Sequence, residues 1–122
     1  MTTEIGPARP GVDYFLVERA DLRDGDTFDG DRYGGQAASF ILVDSLPGEG
    51  PKLHRHAYSE IFVVLEGQAT YRVGTSSLEV YAGQTVVVPA GVAHAFTADG
   101  PGRLRQVDIH VTDRILTEWL ED

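Results

Sequence analysis

Short runs of β-favouring residues, separated by glycine and proline at nearly regular intervals, constrain this chain more than any other feature. The runs fall at 38–43, 52–56, 61–65, 69–73, 78–81, 85–88, 93–97 and 104–111. Breakers stand between them at Pro47-Gly48, Gly67, Gly74, Gly83, Pro89-Ala90-Gly91 and Gly100-Pro101-Gly102. A run that short cannot sustain an amphipathic helix, whereas strands joined by turns at this spacing build an all-β sandwich or barrel. With 122 residues the chain supports one such domain around one core.

The two ends read differently. Residues 1–12 are rich in glycine and proline and are expected to form an N-terminal arm, followed by a first strand over 13–19 and a barrel that closes near 112. The acidic, glycine-rich stretch 24–35 has a superficial likeness to a calcium loop, with Asp29, Asp31 and Gly34 in suitable places. Tyr33 stands where a third oxygen ligand is needed, however, and Phe40 replaces the closing glutamate, so the stretch is read as a solvated turn. From Asp113 the period changes. Ile115, Leu116, Trp119 and Leu120 share one helical stripe, with Thr112 or Asp113 available as N-cap, which predicts a short helix over 113–122 packed on the barrel by Trp119.

Composition removes several classes of function. A net charge of −9 opposes binding to a phosphate backbone or an anionic membrane surface. Without cysteine there is neither disulfide nor thiol chemistry. No apolar run reaches membrane-spanning length, and the first residues lack the basic and apolar regions of a secretory signal, so the expected location is the cytoplasm.

The chemistry concentrates in two stretches, Gly48-x5-His54-x-His56-x3-Glu60-x6-Gly67 and Gly83-x5-Pro89-x-Gly91-x2-His94. His54 and His56 are two apart, so on a strand both leave the same face, and Glu60 keeps their parity. His94 follows a Pro-x-Gly turn and approaches from another strand. Three imidazoles and one carboxylate can hold one divalent transition metal, Mn, Fe, Co, Ni, Cu or Zn, in preference to Mg or Ca.

These stretches resemble the two motifs of the cupin family. The first is matched at every fixed position. The second is matched up to its last, where Ala98 stands in place of an asparagine that is not a metal ligand. The resemblance implies a double-stranded β-helix, or jelly-roll barrel, with His54, His56, Glu60 and His94 as metal ligands. It also implies dioxygenase, isomerase, lyase or decarboxylase chemistry on a small molecule, or alternatively a non-catalytic module that binds or senses a small ligand or metal.

The last strand admits two readings. Gln106, Asp108 and His110 share one face, and Arg105, Val107, Ile109 and Val111 the other. By hydrophobic pattern the Val/Ile face is buried and His110 exposed. Against that, Asp108-x-His110-x3-Arg114 resembles a segment of sugar-acid-processing cupins in which an Asp, an aromatic and an Arg approach the metal-bound substrate. If the polar face is the inner one, His110 is the candidate acid–base group, Asp108 orients it or contacts a substrate hydroxyl, and Arg114 holds a substrate carboxylate. Phe62, Val64 and Phe96 continue the parity of the ligands and are expected to line the cavity, while Arg55 points away from it. An outward apolar row of Val63, Leu65, Val107, Ile109 and Val111 predicts a homodimer.

Overall fold

The computed structural model describes residues 13–122 together with the backbone of Arg9–Pro10. The expected arm over 1–12 otherwise lies outside the described residues. Arg9–Pro10 (β1) pairs with Phe15–Leu16 (β2), and single 3-10 turns follow at Arg19–Asp21 and Gly30–Arg32. The first strand is therefore shorter than 13–19. Thr27–Phe28 (β3), Ser39–Ser45 (β4), His54–Arg55 (β5), Glu60–Glu66 (β6), Gln68–Val73 (β7) and Ser76–Tyr81 (β8) come next. Thr85–Val88 (β9), His94–Ala98 (β10), Leu104–His110 (β11) and Glu118–Trp119 (β12) complete the chain.

Two antiparallel sheets face each other, with strand orders β3-β4-β11-β6-β9 and β12-β5-β10-β7-β8. This is the jelly-roll barrel that the cupin resemblance implies, and it falls within the all-β sandwich or barrel that the run-and-breaker pattern predicts. No helix among the described residues is long and apolar enough to cross a membrane.

Alternation along β6 and β11 explains the interior. Glu60, Phe62 and Val64 point inward on β6, as do Leu104, Gln106, Asp108 and His110 on β11. Because the strands are antiparallel, Val64 lies opposite Gln106, Phe62 opposite Asp108 and Glu60 opposite His110. The inner surface thus changes along the barrel. At one end Val64, Ala69, Tyr71, Val80 and Leu104 form a dry core. At the other, buried polar groups gather. The hydrophobic-pattern reading of β11 is corrected accordingly: Val107 and Ile109 form the outer face and stay half-buried, while the polar row is the inner one.

The tight turn between β6 and β7 requires Gly67. Its φ is +84°, and a Cβ there would meet the Arg103 carbonyl oxygen at 2.2 Å. The stretch 24–35 is not a solvated turn throughout. Thr27, Asp29, Gly30 and Tyr33 are buried, Arg23 clamps Asp29 through two hydrogen bonds of 2.9 Å, and β3 edges the sheet beside β4.

The predicted C-terminal helix is absent, and β12 takes its place. Glu118 pairs with Arg55 and Trp119 with His54, and the Leu120 N–H donates to the Leu53 carbonyl at 2.9 Å. Arg55 adds a bidentate contact to Glu118 at 2.8 and 3.1 Å, and Arg72 reaches Glu121 at 3.1 Å. An isolated helix this short is marginal, whereas β5 offers an otherwise open edge. Pairing with that edge outweighs the helical stripe, and Leu116 and Trp119 remain exposed.

Candidate metal centre

The polar end of the barrel places three of the predicted ligands at strand starts and the fourth, His56, on the loop just after β5. His54 opens β5 directly opposite His94, which opens β10. His56 follows β5 on the loop to β6, where the Gly91 N–H fixes its carbonyl at 2.8 Å and so ties the two motifs together. Glu60 opens β6. The donor atoms of His54, His56, Glu60 and His94 all lie within 4.8 Å of one another, and all four side chains are buried.

The second nitrogen of each imidazole shows whether this set fits a metal. His54 Nδ1 lies 2.7 Å from the Lys52 carbonyl, His56 Nδ1 2.7 Å from that of Leu116, and His94 Nδ1 2.9 Å from that of Val92. A carbonyl only accepts, so each Nδ1 carries the proton and each Nε2 turns a lone pair to the centre. Glu60 Oε1 sits 3.0 Å from His94 Nε2 and 3.1 Å from His56 Nε2. An anionic oxygen that close to two lone pairs calls for a shared proton or a cation. His56 Nε2 is moreover a buried nitrogen with no aligned hydrogen-bond partner. Three imidazole nitrogens and one carboxylate oxygen, converging in this way, fit a divalent transition metal.

Electrostatics agree. Burial alone raises the Glu60 carboxyl, but His110, His56 and His94 around it outweigh that and hold it well below the usual carboxylate range. Burial lowers His54. Burial also pulls on His56, but Glu60 and the Leu116 carbonyl outweigh it and leave His56 above its ordinary value.

Of the other predicted residues, the structure brings His110 and Asp108 to the site and leaves Arg114 out. His110 is buried, with Nε2 at 3.0 Å from Glu60 Oε2. Asp108 lines the same cavity but reaches Gln106, not His110. Tyr71 Oη donates to Gln106 Oε1 at 2.7 Å, and Gln106 Nε2 donates to Asp108 Oδ1 at 2.7 Å. Burial, reinforced by the Glu60 charge, pushes the Asp108 carboxyl well above its ordinary value. Arg114 is 71% exposed and turns to Asp31 at 3.3 Å, because the chain at 112–114 forms an open turn and not the start of a helix. It lines a separate hollow with Arg23, Asp29 and Arg32.

A cavity of about 410 Å³ opens beside the centre. Ile41, Val43, Phe62 and Phe96 give it an apolar wall, and Ile115 and Trp119 form its lip. Trp119 lies with its ring 5.0 Å from that of His54. Val64 sits deeper, in the dry core.

Two contributors escaped the sequence reading. Tyr58 Oη lies 2.9 Å from His110 Nδ1 and 3.0 Å from His56 Nδ1, and burial pushes its pKa up to about 12. Its only sequence signal is a phenol placed between two ligands. The Leu116 carbonyl, which fixes His56, gives no sequence signal at all.

Comparison with known proteins now places the chain. A 43-residue stretch is 46% identical to Auxin-binding protein 5 of Zea mays, covering 35% of this chain and 28% of that protein, so under a third of the relative is spanned. A structure of oxalate oxidase superposes with a TM-score of 0.63 at 25% identity, covering 69% of this chain and 46% of that one. Oxalate decarboxylase of Bacillus subtilis, described with Mn(II) centres, gives a TM-score of 0.70 at 23% identity, covering 77% of this chain and 27% of that one. Residues 41–110 match the Cupin domain family, so with the jelly-roll barrel and the His54/His56/Glu60/His94 cluster in place, this chain belongs to the cupins and carries a site fit for metal.

Proposed function

We propose that this cupin is a metal-dependent enzyme acting on a small oxygen-bearing molecule, with dioxygenase-, isomerase- or lyase-type chemistry, and that His110 is its acid–base residue. One observation carries the proposal. His110 is buried and lines the cavity, and its Nε2 lies 3.0 Å from Glu60 Oε2 without an aligned hydrogen bond among the described residues. A buried polar nitrogen whose neighbour is a misaligned carboxylate is incompletely satisfied, which supports a role toward a bound ligand.

A divalent metal held by His54, His56, Glu60 and His94 would supply Lewis-acid polarisation of a substrate oxygen or, if redox-active, dioxygen chemistry. The protein's own share is positional. The Lys52, Leu116 and Val92 carbonyls orient the three imidazoles. Phe62, Phe96, Ile41 and Val43 exclude water and seat an apolar body. His110, a buried imidazole lining the cavity, is the residue placed to exchange a proton with the substrate. Asp108 stands ready to contact a substrate hydroxyl. No arginine or lysine among the described residues lines the cavity, so a carboxylate clamp by Arg114 has no support.

A second reading, a binding module without turnover, is favoured by the relatives named for auxin binding. Both readings are tested by loading the protein with Mn, Fe, Co, Ni, Cu or Zn in turn and measuring metal content. The loaded protein is then incubated with small diketones, hydroxy acids, dicarboxylates and auxin, with and without air, and products are read by mass spectrometry. Turnover lost in His110→Gln at unchanged metal content supports the enzyme reading with His110 as acid–base group. Turnover unchanged in His110→Gln refutes that assignment. Stoichiometric metal and a bound ligand without any product favour the binding module.

A further inference from the structure

We infer that Tyr58 is a positioning residue that fixes His110 as a hydrogen-bond donor into the cavity, and so makes the site selective for a ligand that presents an acceptor oxygen there. The inference rests on the ligand-binding reading above, and it assigns a role to Tyr58 that the metal cluster does not require.

The hydrogen bonds around the phenol leave one place for its proton. The His56 Nδ1–H is committed to the Leu116 carbonyl at 2.7 Å. The Leu116 N–H donates to Tyr58 Oη at 3.2 Å. Tyr58 therefore has one proton of its own to place. Its nearest acceptor is His110 Nδ1 at 2.9 Å, against 3.3 Å for a Leu116 carbonyl that already accepts from His56. With Nδ1 accepting, the neutral His110 ring carries its proton on Nε2.

His110 is thus the mirror image of the three ligands. They hold Nδ1–H against backbone carbonyls and present lone pairs; it holds a Nδ1 lone pair against a phenol and presents Nε2–H. It also falls outside the set of four whose donor atoms lie mutually within 4.8 Å, on the other oxygen of Glu60. Its ring lines the cavity and its Nε2, 3.0 Å from Glu60 Oε2, makes no aligned hydrogen bond there, so an acceptor oxygen of a bound small molecule is what would complete its hydrogen bonding.

The test is nitrogen NMR of the histidine rings in ¹⁵N-labelled, zinc-loaded protein, which reports directly which nitrogen carries hydrogen. The wild-type protein is expected to show His110 with a pyridine-type Nδ1 and a pyrrole-type Nε2, while the three ligand rings show pyrrole-type Nδ1. In Tyr58→Phe the Nε2–H share is expected to fall roughly fivefold to tenfold relative to Nδ1–H, as loss of one ordinary hydrogen bond would produce, with zinc still stoichiometric. A wild-type His110 that is protonated on Nδ1, doubly protonated at neutral pH, or bound to zinc through Nε2 overturns the inference. So does an unchanged tautomer in Tyr58→Phe. The wild-type spectrum decides the first point without any variant, so a poorly folded Tyr58→Phe does not remove the test. If elemental analysis finds no zinc in the wild type, the metal reading fails separately, and the His110 tautomer is still read in the metal-free protein.

Discussion

Replacing Asp108 with asparagine should make the metal-free protein progressively more stable than wild type as pH rises. Asp108 is buried, accepts from Gln106 at 2.7 Å and faces the charge of Glu60, so its carboxyl is held well above its ordinary value. In the unfolded chain it ionises near pH 3.9. Above that pH the folded state binds one more proton than the unfolded state, so stability falls with rising pH, by at most about 1.4 kcal/mol per pH unit. The fall continues until pH passes the raised folded value. Asparagine keeps the shape and the oxygen that accepts from Gln106, and it has no charge to bury. Between pH 5 and pH 7 the stability difference between variant and wild type should therefore shift in favour of the variant by up to about 2.7 kcal/mol. Urea unfolding with chelator present, at both pH values, measures it. Every other titratable group is common to both proteins, so the comparison isolates position 108. A difference that does not change with pH would mean that Asp108 is ionised in the fold, and the reasoning from burial would be wrong.

Other outcomes follow from the same geometry. His54→Ala and His94→Ala should each lose bound metal by elemental analysis, and stoichiometric metal surviving both would defeat the site. Ending the chain after Ile115 removes the Leu116 carbonyl from His56 Nδ1, and chelator competition should show metal affinity weaker by roughly tenfold to a hundredfold. The outer face of β4, β11, β6 and β9 sets Phe40, Ile109, Ile61 and Val87 in register, with Leu65 and Val87 strongly exposed, so a homodimer is expected. A light-scattering mass of one chain at micromolar concentration would refute it.

The strands from β4 to β11 were legible because turn residues and alternation mark the same boundaries. The ligands were legible because the two motifs fix their spacing, with His54, Glu60 and His94 at the starts of β5, β6 and β10 and His56 on the loop just after β5. The inner face of β11 was not. Hydrophobic alternation assumes an oily interior, and Gln106, Asp108 and His110 face a polar one. The C-terminal segment was misread because Ile115, Leu116, Trp119 and Leu120 satisfy a helical period, while the open edge of β5 that captures residues 118–119 exists only once the sheet has formed. Tyr58 went unassigned because a loop has no parity, and the Leu116 carbonyl because backbone atoms leave no trace in a sequence.

The change of the barrel interior from dry core to polar centre has a consequence for motion. Opening the end lined by Leu104 and Val64 exposes apolar surface to water, whereas the end at Glu60 and His110 is bordered by the two-residue strands β5 and β12. Fluctuations that let solvent in should therefore begin at β5 and β12, and amide exchange there should outpace exchange in β6 and β7. The same edge borders the cavity through Trp119 and His54. Traffic of ions and small molecules into the barrel can then use its least stable corner without disturbing the part that keeps it folded.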